Sequence, residues 1–66
     1  MIYDLSGANG NAFAVMGNAR RWAKQLDLDG EAILAEMQEG DYAHLIETAK
    51  AHFGHVVDFV GGDDEL

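Results

Sequence analysis

The segment "GDYAHLIETAKAHFG" constrains this chain more than any other. Tyr42, Leu45, Ile46, Ala49 and Phe53 recur at i, i+3, i+4, i+7 and i+11, the spacing of one apolar stripe on an α-helix. Asp41 stands where an N-cap belongs and Gly54 where a helix closes, so the spacing predicts a helix between them. Such a helix must bury its stripe against other elements. The chain has 66 residues and no cysteine, so it builds one domain near the lower size limit for a single core, without disulfide or thiolate–zinc support. A core of this size rarely yields more than roughly 3–5 kcal/mol, so helix ends and self-association carry weight here.

The other elements are punctuated by glycines and Asx residues rather than proline. "MIYDLS" reads as a strand, with Tyr3 and Leu5 on one face and Ile2 and Asp4 on the other. "GANGN" follows as a loop, and Asn11 caps a helix over about residues 12–26. At about 100° per residue, Ala12, Val15, Met16, Ala19, Ala23 and Leu26 share one stripe, with Trp22 at its edge. Phe13 lies off the other edge, on a ridge with Gly17, Arg20 and Lys24. Gly17 costs about 1 kcal/mol relative to Ala within a helix, which reads as the mark of a close backbone approach. In "DLDGEAILAEMQEG", Asp29 is the N-cap and Gly40 the exit of a short helix that buries Ile33, Leu34 and Met37. "HVVDFV" is a second strand, with Val57 and Phe59 on one face and Asp58 on the other. Glu47 and Lys50 are spaced for a surface pair.

The order strand, three helices, strand predicts a compact α+β domain of βαααβ type over residues 1–60, followed by a flexible acidic tail over 61–66. The strand direction stays open, and an all-α three-helix bundle with frayed ends is the alternative. The start "MIYDLSG" has neither the basic region nor the apolar run of a signal peptide. No segment reaches the roughly 20 apolar residues of a membrane span. The expectation is a soluble cytoplasmic protein with no membrane partner.

Twelve acidic against four basic residues, a formal net charge of -8, argue against direct nucleic-acid binding, which needs cations for phosphates. "QLDLDGEAILAE" has calcium-loop spacing, with Asp27, Asp29, Gly30 and Glu36 at acceptable positions. Gln25 stands where a carboxylate should open that loop, and the helical pattern restarts near residue 30, so the helix-cap reading is preferred. His44 and His52 are two helical turns apart, about 12 Å, too far for one ion. His52, His55 and Asp58 are close enough to be tested as a metal set, though solvent-facing histidines are the simpler account. The only hydroxyl nucleophile candidates, Ser6 and Thr48, lie in no nucleophile-elbow pattern and have no base at a recommending spacing. "SGANGNA" lacks the lysine and glycine spacing of a phosphate loop. No enzyme activity, metal or cofactor is expected.

Three of the four basic side chains sit in "NARRWAKQ" around the only tryptophan. A nucleic-acid grip would set Trp22 beside Arg20 and Lys24, but the wheel places both about 160° from the indole. Trp22 therefore belongs to the core. Arg20 and Lys24 either oppose the helix dipole and meet acidic neighbours, or join Phe13 and Gly17 in a partner contact. Phe13, Gly17, Arg20 and Lys24 are thus the candidate binding residues.

The "GNAF" helix start (Gly10 to Phe13), the acidic second helix and "GDYAHL" (Gly40 to Leu45) together resemble small uncharacterised acidic proteins encoded in bacteriophage and prophage genomes, over about residues 4–60. The resemblance supplies no catalytic residues. It implies a non-enzymatic phage accessory protein acting in the host cell by protein–protein binding, such as blocking a host or defence factor. The alternatives are an acidic nucleic-acid mimic that binds a basic host protein, and a self-assembling component, a homodimer included.

Overall fold

A computed structural model describes residues 1–61. The expected acidic tail lies outside the described residues, apart from Gly61. The elements are β1 (Ile2–Asp4), a 3-10 turn (Gly7–Gly10), α1 (Ala12–Gln25), α2 (Gly30–Met37), α3 (Tyr42–Phe53) and β2 (Asp58–Val60). This is the βαααβ arrangement, and the paired strands exclude the all-helical alternative. Both strands are shorter than the apolar runs that predicted them.

The strands run parallel, with Ile2 opposite Asp58, Tyr3 opposite Phe59 and Asp4 opposite Val60. Parallel neighbours need a long crossover connection, and the three helices between Leu5 and Val57 supply it. Each helix begins where local chemistry dictates. The carboxamide of Asn11 accepts from Ala14 N–H at 2.8 Å, and the carboxylates of Asp29 and Asp41 accept from Ala32 and His44 N–H at 3.2 and 3.0 Å. Each cap satisfies one of the orphan amides of a first turn.

The core is one cluster drawn from β1, the three helices and the residues beside the strands: Tyr3 and Leu5, Val15, Ala19, Trp22 and Ala23, Ile33, Leu34 and Met37, Leu45, Ile46, Ala49 and Phe53, and Val57, with Phe59 of β2 packed against it. Trp22 is its hub rather than its edge, being only 4% exposed. Its indole meets Tyr3, Phe53 and Phe59 edge to face, with ring centroids 5.2, 5.4 and 5.7 Å away. One α1 side chain thereby ties together both strands and α3 through favourable aromatic geometry.

Two stripe assignments are corrected. Tyr42 is not a core residue: its ring stays part-exposed because its hydroxyl donates to the Gly10 carbonyl, joining the start of α3 to the 3-10 turn. That partial burial, and the nearby Tyr3 hydroxyl second, raise the Tyr42 phenol above its ordinary pKa. Thr48, off the apolar stripe, is buried.

Candidate functional site

The α1 ridge stands on the face of the helix opposite its buried residues. Phe13 is 84% exposed, the most open large apolar side chain among the described residues. Gly17, one turn further on, is exposed, and a Cβ built there would meet nothing within 4 Å. The expected close backbone approach is therefore absent. Gly17 leaves the helix surface open one turn from Phe13 instead of admitting a neighbouring element.

At the other end of the ridge, Arg20 Nη1 donates to Glu31 Oε2 at 3.1 Å, joining α1 to the first turn of α2. Both side chains are open to water (62% and 84% exposed), so the pair contributes about 0.2–1 kcal/mol at most. Lys24 is exposed and forms no ion pair among the described residues. Arg20, Lys24, Asp27, Leu28 and Glu31 together line a shallow depression of about 280 Å³. The ridge thus divides: Arg20 meets an acidic neighbour, as its structural reading required, whereas Phe13 and Gly17 touch nothing that explains them.

The other constellations resolve on local geometry. Gly30 opens α2, which places Glu36 inside a helix and commits the Asp29 carboxylate to an N-cap. That segment is a helix start and not a cation loop. Asp27 makes the turn before it with a φ of 61°, in the left-handed region that Asp tolerates. His52 Nε2 lies 2.9 Å from Glu36 Oε1, an α2–α3 contact with a residue that the spacing of His52, His55 and Asp58 does not include. No group of three metal-ligating side chains occurs among the described residues.

Sequence spacing missed one pair: Thr48 Oγ1 sits 3.3 Å from His44 Nε2. The same nitrogen lies 2.8 Å from the Glu36 carbonyl oxygen, which can only accept. Nε2 therefore carries the proton and has no lone pair with which to activate the threonine. Ser6 Oγ donates to Asp4 Oδ1 at 2.6 Å, and Ser6 N–H donates to the same oxygen at 2.9 Å. These bonds hold the Asp4 carboxyl below the usual aspartate range, the hydroxyl bond counting most.

The "GNAF" and "GDYAHL" segments meet in space. A Cβ on Gly10 would stand 1.6 Å from the Leu5 carbonyl oxygen, so this position accepts only glycine. Gly10 also receives the Tyr42 hydroxyl, Asn11 and Asp41 cap their helices, and Leu45 is buried. Phe13 is the large residue of these two segments for which the fold has no use.

Comparison with protein families, curated proteins and solved structures gives no match to this chain. No helix among the described residues is long and apolar enough to cross a membrane.

Proposed function

We propose that this chain is a non-enzymatic accessory protein that acts by binding another protein, with the Phe13–Gly17 end of the α1 ridge at the centre of the contact. One observation carries the reading: an aromatic side chain 84% exposed, on a helix whose opposite face is fully used by the core. Binding hot spots are enriched in aromatic side chains and arginine, and an exposed ring one turn from an open glycine, with Arg20 and Lys24 further along, has that composition. The phage setting, in which the partner is a host or defence factor, rests on the resemblance of "GNAF" and "GDYAHL".

The test is affinity capture from bacterial lysate, with Phe13→Ala and Arg20→Ala/Lys24→Ala run beside the parent chain. A partner held through the ridge is lost from the Phe13→Ala capture, by roughly 30-fold for a hot-spot loss of about 2 kcal/mol. It survives moderate salt because the ring, not the charge, dominates. A partner that Phe13→Ala retains and salt releases contradicts this reading and assigns the contact to the acidic surface, as a nucleic-acid mimic requires.

A further inference from the structure

The sheet presents a second unpartnered surface, apart from α1. In its ladder Asp58 N–H donates to the Met1 carbonyl at 2.6 Å and Leu5 N–H to the Val60 carbonyl at 2.8 Å. Bonding groups in a parallel pair alternate along each strand, so Asp58 and Val60 face β1 while Phe59 turns its N–H and C=O the other way. The sheet ends at β2, and no described residue pairs with those two groups. Along this strand runs an open groove of about 440 Å³, lined by Ile2, Val57, Phe59 and Val60, with Lys50 and Asp58 as its charged members. Ile2 is 71% exposed, on the sheet face that the helices leave bare. Parallel sheets are ordinarily covered on both faces, and the described residues cover one face of this one.

We propose that the outer edge of β2 is a docking site for an extended, alternately apolar and basic segment of another protein, which adds to the sheet as a third strand. The free N–H and C=O of Phe59 call for an extended backbone, because a helix has already spent its own groups. The segment's apolar side chains fall on the face of Phe59, and the positions between them fall on the exposed face beside Asp58. The chain's net charge of -8, with Asp58 beside the groove, selects cations between them, whereas a second copy brings the same charge and is repelled. Lys50, the groove's one cation, belongs to α3 and limits how many cations the segment carries.

The test uses the full chain, nitrogen-15 labelled, with a capped Lys-Val-Lys-Val-Lys-Val peptide as probe and its Glu-Val counterpart as control. The Lys-Val peptide is expected to slow hydrogen exchange of the Phe59 amide at least tenfold, leaving the Tyr3 amide, already in the ladder, unchanged. A synthetic chain N-methylated at Phe59 binds at least tenfold more weakly. If its circular dichroism shows that it does not fold, Asp58→Lys replaces it with the same expectation. Equal binding by the modified chain, or by the Glu-Val peptide, overturns the proposal. Phe59 protection in the free chain that rises with concentration makes the occupant a second copy and also overturns it. So does protection that disappears when the chain is shortened to Gly61, which makes the occupant the chain's own C-terminal residues. Phe13→Ala leaves peptide binding unchanged, so failure here is distinct from failure of the α1 contact.

Discussion

Replacing Trp22 with alanine removes the hub that joins α1 to α3 and both strands. Truncating a buried aromatic to alanine costs about 3–5 kcal/mol in transfer and cavity terms. The upper end applies here, because three edge-to-face neighbours, Tyr3, Phe53 and Phe59, lose their partner at once. A chain of this size has roughly 3–5 kcal/mol of stability in total. Trp22→Ala is therefore unfolded, or at its midpoint, in water at 25 °C. Urea titration followed by far-ultraviolet circular dichroism measures this directly. The parent shows one cooperative transition, Trp22→Phe keeps a cooperative transition at lower urea, and Trp22→Ala shows none with a folded baseline. Phe13→Ala, although also an aromatic truncation on α1, stays within about 0.5 kcal/mol of the parent because the ring is exposed. A Trp22→Ala transition within about 1 kcal/mol of the parent refutes the hub, and with it the packing that leaves the far face of α1 free.

Two glycines predict opposite effects. Gly10→Ala forces a Cβ against the fixed Leu5 carbonyl and lowers the melting temperature by about 10 °C or more, whereas Gly17→Ala meets open space and raises it by about 4–8 °C, for a gain near 1 kcal/mol. Calorimetry distinguishes both from the parent. Asp41→Ala loses the N-cap bond to His44 N–H and costs about 1 kcal/mol, read as a lower urea midpoint with an unchanged slope. The lowered Asp4 pKa contributes stability that is present above the ordinary aspartate value and lost as pH falls through the lowered folded value. Ser6→Ala removes the larger cause, so a carbon-13 carboxyl titration finds Asp4 moved upward; an unchanged midpoint contradicts the assignment.

What the sequence reveals here follows the range over which each interaction acts. Asn11, Asp29 and Asp41 are legible as caps because capping is settled within three residues. The stripes of α1, α2 and α3 are legible because each repeats on its own helix. A helical wheel puts Trp22 at the edge of the stripe because it locates the Cα and ignores how far an indole reaches. Tyr42 fits the stripe, yet its hydroxyl seeks the Gly10 carbonyl 32 positions away, a contact no local pattern encodes. Strand direction was equally hidden, since a connection this long permits either one. At the ridge, the exposure of Phe13 follows from its position off the stripe, whereas the Arg20–Glu31 pair needs the packing of α2 on α1. The free edge at Phe59 appears only once the ladder register is known.

The most direct test of the proposed function is amide chemical-shift mapping of the nitrogen-15-labelled chain with its captured partner. Shifts and line broadening concentrated at Phe13, Gly17, Arg20 and Lys24, together with loss of the complex in Phe13→Ala, are the predicted result. A complex that leaves those four amides unmoved, and that Phe13→Ala forms as tightly as the parent, contradicts the account.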